Sequence, residues 1–174
     1  MSKSALITGI SGQDGAYLAR LLVDKGYKVY GAQRRGASLN TARLEELNVL
    51  GDVEVVPFEL LEYSNIASVL NKVAPDEVYN LAAQSFVGTS FDQPLYTRDV
   101  DGMGVLRMLE VMRAMGGNAK FYQASTSEMF GKVQTIPQKE TTPFYPRSPH
   151  GVSTLYAHWM TVTHSESYNI FATR

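Results

Sequence analysis

The 174-residue sequence contains no cysteine, which removes disulfides, thiolate nucleophiles and cysteine-ligated metals from consideration. An excess of charge of either sign is missing too: 16 basic residues face 17 acidic ones, with no run of like charge. That leaves no electrostatic footprint for nucleic acid or an anionic membrane and points to a small or neutral partner. No apolar run approaches the ~20 residues needed to span a bilayer, and the opening Met-Ser-Lys-Ser-Ala-Leu-Ile-Thr-Gly lacks the apolar core of a signal peptide. A cytoplasmic, soluble protein is expected. Repeats, low-complexity tracts and an interdomain linker are also absent, so one domain is expected at this length.

What is present is an alternation. Ala5–Thr8, Lys28–Gln33, Val53–Phe58, Glu77–Leu81 and Lys120–Ala124 are short apolar runs that read as strands. Between them apolar residues recur at helical spacing: Leu18, Leu21 and Leu22; Ile66, Val69, Leu70 and Val73; Val105, Leu106, Leu109 and Met112. Strands alternating with helices require crossovers and a parallel sheet, so the fold expected is a doubly wound α/β, Rossmann-like domain. It is complete through five strands, with a sixth only beginning in Asn169–Arg174. The proline-punctuated stretch from Gly131 to Pro149 reads as an irregular surface loop.

The first strand-to-helix turn, "LITGISGQDGAYLARLL", places Gly9, Gly12 and Gly15 three residues apart. Glycines at a helix N-terminus let backbone N–H groups approach a pyrophosphate, and the first turn of such a sheet is where a dinucleotide sits. The spacing is G-x-x-G-x-x-G rather than G-x-G-x-x-G, and glycines serving only a tight turn are the plainer alternative. After the second strand, where an acid would bind a ribose 2′-hydroxyl, the chain has Gln33-Arg34-Arg35. Guanidinium groups there suit a 2′-phosphate, which favours NADP over NAD.

Four further segments, "YNLAAQS" (79–85), "DVDGMG" (99–104), "FYQASTSEMFG" (121–131) and "TPFYPRSP" (142–149), together with the glycine turn, resemble the GDP-mannose 4,6-dehydratase family of extended short-chain dehydrogenase/reductases. The resemblance covers the cofactor-binding part only. It implies one NADP-binding domain over residues 1–174, with the family's C-terminal substrate domain absent. The family converts GDP-mannose to GDP-4-dehydro-6-deoxy-mannose, on the way to GDP-fucose and GDP-rhamnose. Hydride leaves sugar C4 for the cofactor, water is lost across C5 and C6, and hydride returns to C6. The resemblance assigns the cofactor to Gly9, Gly12, Gln13, Asp14, Gly15, Arg34, Arg35, Glu59, Leu60, Leu81, Ala82, Ala83 and Ser85, Glu59 standing where the family usually has Asp. It assigns Thr126 to the sugar O4 region and Glu128 to the C5 proton. An extended segment would point that hydroxyl and carboxylate the same way.

One departure stands out. The family's Tyr-x-x-x-Lys falls at His150 and Thr154, and no tyrosine in the chain has a lysine four residues on. A phenol titrating near ~10 becomes a usable base at neutral pH only beside a cation. An imidazole, ordinarily titrating near ~6.5, is a conceivable base, but it is shorter and Thr154 brings no charge. Impaired activity is therefore expected, a non-catalytic NADP-binding or oligomer-partner module being the alternative, with a homo-oligomer or a full-length dehydratase as the expected assembly. In the same helix Val152, Leu155, Trp159 and Val162 form an apolar stripe opposite His150, Thr154, Thr161 and Ser165. The stripe is expected to face the core, with Phe121, Phe130 and Trp159 buried. Tyr145 and Arg147 fit either a ligand-facing role or loop packing. His150 and His164 lie roughly 20 Å apart along a helix, too far to share a metal, and no metal site is expected.

Overall fold

The computed structural model describes residues 2–36 and 40–174. Six strands, β1 (Ser4–Thr8), β2 (Lys28–Gln33), β3 (Val53–Pro57), β4 (Glu77–Asn80), β5 (Lys120–Gln123) and β6 (Ala172–Thr173), form one sheet in the order β3-β2-β1-β4-β5-β6. Every neighbouring pair is parallel. The order reverses beside β1, the switch point at which such sheets open a ligand crevice. β6 pairs with β5 through two residues, Ala172 opposite Phe121 and Thr173 opposite Tyr122.

Strand periodicity builds the two cores. On β1, Ala5 and Ile7 point to one face, where they meet Ile10, Ala16, Ala19 and Leu22 around α1 (Gln13–Asp24). Leu6 points to the other, into a larger core with Ile66 and Leu70 of α3 (Tyr63–Val73) and Leu109 and Met112 of α6 (Gly104–Ala114). Burial on both faces is why β1 reads as a continuous apolar run. Short helices α2 (Ala42–Glu46), α4 (Val87–Asp92) and α5 (Pro94–Thr97) fill connections. A π-helical turn, Arg98–Met103, joins α5 to α6. The segment 132–148 carries no regular element, as the prolines require. Among the described residues no helix is long and apolar enough to cross a membrane.

The last helix, α7 (Pro149–Tyr168), overturns an expectation. Its start is conventional: Pro149 occupies the first turn, and the Ser148 hydroxyl caps it by accepting from the Gly151 N–H at 3.1 Å. Its orientation is not. The buried face consists of His150, Ser153, Thr154, Ala157, His158, Thr161 and His164, whereas Val152 is 56% and Trp159 52% exposed. Leu155 and Val162 are only half-buried. Polar residues can be interior here because most find partners. Ser153 and Thr161 donate to the carbonyls of Pro149 and Ala157, each at 2.8 Å, the back-bond available to helical hydroxyls. His164 places its nitrogens 2.8 Å from the Met160 carbonyl and 3.0 Å from Glu110. Of the three aromatics expected in the core, Phe121 is buried, Phe130 is half-buried against Phe144, and Trp159 is outside.

Candidate active site

At the carboxyl ends of β1, β4 and β5 a chain of side-chain hydrogen bonds sets the floor of a cleft. The Thr8 hydroxyl donates to Asn80 Oδ1 at 2.6 Å, and Asn80 Nδ2 donates to Gln123 Oε1 at 2.7 Å. Gln123 Nε2 donates to the Ala124 carbonyl at 2.7 Å. The same Thr8 oxygen accepts from the N–H groups of Leu81 and Ala82, both at 3.1 Å. Buried amides paired through both oxygen and nitrogen hold the strand ends in place.

Above this floor lies the glycine turn. Gly9 adopts a left-handed conformation, φ 69°, and a Cβ there would stand 3.0 Å from the backbone of Leu81 and Ala82. A Cβ on Gly15 would stand 2.4 Å from the Gly9 carbonyl. Only glycine permits this closeness. Gly12 is the N-cap of α1 and offers no side-chain cap, so the first N–H groups of the helix point outward without an internal acceptor.

Two cavities adjoin across this turn. The first, about 360 Å³, is lined by Gly9, Gly12, Gln13, Asp14, Gly15, Leu81, Ala82, Ala83, Ser85, Thr126, His150 and Thr154, with Asn80, Asp101 and Gln123 among its other walls. The second, about 740 Å³, shares Gly9, Gly12, Leu81, Ala82, Ala83 and Ser85 and adds Arg34, Arg35, Glu59 and Leu60. The dinucleotide residues expected from sequence thus come together along one cleft. Arg34 Nη1 donates to the Tyr96 hydroxyl at 2.8 Å, steadying one guanidinium at the cavity edge. Beside it, Gln33 Oε1 is buried and has no partner. Glu59 turns its carboxylate back to the Leu61 N–H at 3.2 Å.

Thr126 and Glu128 do not converge as an extended segment would make them. Residues Ser127–Met129 form a 3₁₀ turn capped by Thr126, whose hydroxyl accepts from the Glu128 N–H at 3.2 Å. Thr126 lines the smaller cavity; Glu128 does not, because its Oε2 accepts from the Ser148 hydroxyl at 3.1 Å. A Cβ on Gly151 would lie 2.5 Å from the Glu128 carbonyl, so this turn packs directly on the start of α7, next to His150. Tyr145 and Arg147 are exposed and line neither cavity. Among the described residues no three His, Asp or Glu side chains gather as metal ligands.

Several site residues escape a reading of the sequence: Asn80, Gln123, Tyr96, Ser148 and above all Asp101. Asp101 lies in the π turn, 4% exposed, and its Oδ2 is 2.8 Å from His150 Nδ1. The signal available was a carboxylate inside "DVDGMG", one of the segments that carry the resemblance.

Comparison with known proteins decides the family. The model of GDP-mannose 4,6 dehydratase matches residues 6–174.

The chain belongs to the GDP-mannose 4,6-dehydratase family.

A GDP-mannose 4,6-dehydratase of Vibrio cholerae is 52% identical over 99% of the chain, and a GDP-mannose 4,6 dehydratase of Homo sapiens is 52% identical over 97%. The chain spans about half the length of these relatives, 48% and 47%. Solved structures share the fold of this family member at low identity. A UDP-Glc/GlcNAc 4-epimerase from Campylobacter jejuni superposes with a TM-score of 0.88 at 21% identity, covering 99% of the chain and 52% of the epimerase. A dTDP-glucose 4,6-dehydratase from Streptomyces venezuelae, solved with NAD and TYD bound, gives 0.83 at 21%, covering 96% of the chain and 53% of that enzyme.

Proposed function

We propose that this chain provides the NADP-binding and proton-handling part of a GDP-mannose 4,6-dehydratase, with its oxidation step slowed by the residues at positions 150 and 154. The observation that carries the reading is the continuous cleft running from Arg34 and Arg35, across the glycine turn, to Thr126 and His150. The cleft suits a dinucleotide physically. The space that a Cβ would fill at Gly9 and Gly15 is kept clear, uncapped N–H groups of α1 face the pyrophosphate position, and the orphaned Gln33 Oε1 offers an acceptor to an adenosine ribose or base. The position of Arg34 and Arg35 on the wall of the larger cavity supports a 2′-phosphate as their ligand. When bound, the dinucleotide supplies an acceptor and later a donor of hydride.

The remaining chemistry belongs to side chains. Thr126 offers its hydroxyl to the sugar. Glu128, held by Ser148 beside α7, is the group that moves the C5 proton once that hydrogen bond is released. Thr154 is buried and faces the cleft, but it brings no cation to lower a neighbour's proton affinity or to grip the nicotinamide ribose. General acid–base catalysis contributes about 10²–10⁴-fold, on the order of 3 to 5 kcal/mol, so weakening it slows turnover by up to that factor.

The test is incubation with GDP-mannose and NADP⁺, following the 4-keto product, beside calorimetry with NADP⁺ and NAD⁺. Slow turnover and tighter NADP⁺ binding are expected, and His150→Tyr with Thr154→Lys should raise the rate. Turnover at the rate of full-length relatives would refute the impairment, and failure to prefer NADP⁺ would refute the arginine assignment. Binding without turnover, alone or beside a full-length dehydratase, would leave a non-catalytic partner module instead.

A further inference from the structure

The cleft holds a buried carboxylate–imidazole pair. Asp101 Oδ2 and His150 Nδ1 are 2.8 Å apart, and their side chains are 2% and 6% exposed. The other carboxylate oxygen, Oδ1, accepts from the Gln84 N–H at 2.7 Å, which settles which oxygen faces the ring. A carboxylate oxygen only accepts, so the hydrogen of this contact sits on Nδ1. Nε2 has no protein partner, yet it is not sealed off: among the described residues Gln33 Oε1 is the only buried side-chain nitrogen or oxygen lacking one. His150 lines the smaller cavity together with Thr126, Asn80 and Thr154, and Nε2 is the ring nitrogen left to face it.

The backbone is arranged to make this pair. The π turn adds a residue to the helical register and leaves Val100, Asp101 and Gly102 facing inward, a local irregularity that is frequent at functional sites. Gly102 lets α7 come close: a Cβ there would lie 3.3 Å from the Tyr156 ring and 3.4 Å from the Ser153 carbonyl. A buried carboxylate is a poor source of stability, because desolvation offsets its attractions. Holding a ring in one orientation and tautomer is the better-matched role.

We infer that Asp101 is a positioning residue that fixes His150 as the Nδ1–H tautomer and presents the Nε2 lone pair to the cleft as the acceptor of a substrate hydroxyl proton. The tautomer stands on geometry alone; the identity of the hydroxyl, on a nucleotide-linked sugar, rests on the proposed function. In the step assigned to His150 the hydroxyl O–H bond breaks and its proton passes to Nε2. The electron pair of the C–H bond on the same carbon leaves as hydride to the oxidised nicotinamide dinucleotide, and the carbinol becomes a ketone. Asp101 stabilises the resulting imidazolium across the Nδ1 hydrogen bond without taking the proton.

Asp101→Asn tests this sharply. Its amide oxygen must still accept from Gln84, so its NH₂ faces Nδ1 and forces the proton to Nε2, closing the lone pair. With ¹⁵N-histidine labelling, and His150→Gln to assign the signals, the wild type is expected to show Nδ1–H and the variant Nε2–H. Single-turnover reduction of NADP⁺ by GDP-mannose, read from the absorbance of the reduced nicotinamide at saturating ligands, should fall at least about a hundredfold in the variant. An Nε2–H tautomer in the wild type overturns the proposal, even if the variant fails to fold. So does a tautomer indifferent to Asp101→Asn, or an equal rate in both proteins. Binding of NADP⁺ and GDP-mannose with no reduction in the wild type refutes the base role of His150. No binding of either ligand refutes the functional reading of the cleft, and the tautomer then decides the positioning role by itself.

Discussion

Replacing Thr8 with valine keeps the shape of a buried β1 residue and deletes one oxygen. That oxygen donates to Asn80 Oδ1 at 2.6 Å and accepts from the N–H groups of Leu81 and Ala82 at 3.1 Å. Asn80 is fully buried, so its carbonyl loses its partner without water to replace it, at a cost of about 1–3 kcal/mol. Leu81 and Ala82 line both cavities, where water can reach their N–H groups, so their loss adds less. The sum is about 2–3 kcal/mol, against a total stability of roughly 5–15 kcal/mol for a domain. Urea denaturation of wild type and Thr8→Val measures it. Because the freed N–H groups form the cleft floor, dinucleotide affinity should drop as well. A stability change under about 0.5 kcal/mol, the scatter of an ordinary surface substitution, would show that the Thr8–Asn80–Gln123 chain does not organise the strand ends.

Three other outcomes are expected. Arg113, and after it His164, hold the Glu110 carboxyl at about 2, below its usual 4.5. The unfolded chain therefore binds the proton first, and the stability owed to this cluster is complete above about pH 4.5 and lost as the pH falls toward 2; with the side chain 34% exposed, screening limits it to about 1 kcal/mol. Denaturation of wild type and Glu110→Gln across that range should show the two curves converging toward acid, and parallel curves would refute the assignment. Arg34→Ala combined with Arg35→Ala should reduce the preference for NADP⁺ over NAD⁺ about tenfold or more, since each charged hydrogen bond is worth about 1.5–3 kcal/mol; calorimetry with both dinucleotides reads it, and an unchanged ratio would refute it. Gly151→Ala forces a Cβ to within 2.5 Å of the Glu128 carbonyl, an overpacking worth about 1–3 kcal/mol; a stability equal to wild type would mean that α7 does not rest on the 127–129 turn.

β1 and β2 were legible because burial on both faces makes a strand a continuous buried run, while β4 and β5 bury every second residue, the ordinary strand period. The helices α3 and α6 were legible because eleven residues contain enough turns to display a period. At four to six residues, α2, α4 and α5 show none. The π turn was invisible for a related reason: it is a change of register, and nothing in Arg98–Met103 marks the extra residue. Asp101 consequently had no role assigned from sequence beyond its place in "DVDGMG". The residues expected to line one cleft could be named because glycine geometry restricts residue choice at fixed points along the chain, and they do line the two adjoining cavities. Thr126 and Glu128 were named but not correctly oriented, since a 3₁₀ turn leaves no stronger mark on four residues than an extended strand does.

The polarity of α7 was misread for a reason that bears on function. Hydrophobic spacing assigns the face of a helix only when the competing face cannot be buried, and here it can. Serine and threonine return their hydroxyls to carbonyls of the preceding turn, and the histidines reach Asp101, Glu110 and a main-chain oxygen. Once those partners exist, a polar stripe is interior at little cost, and Val152 and Trp159 are left outside. The inward stripe also contains His150 and Thr154, the two positions at which the sequence reading expects the family's Tyr-x-x-x-Lys. His150 and Thr154 border a cleft, whereas the large core side chains, such as Leu6, Ile66, Leu109 and Phe121, belong to other elements. Exchanging tyrosine and lysine for histidine and threonine therefore changes the chemistry of a cavity wall without opening a hole in the packed interior, and a family member can keep its fold while its base is rebuilt around Asp101.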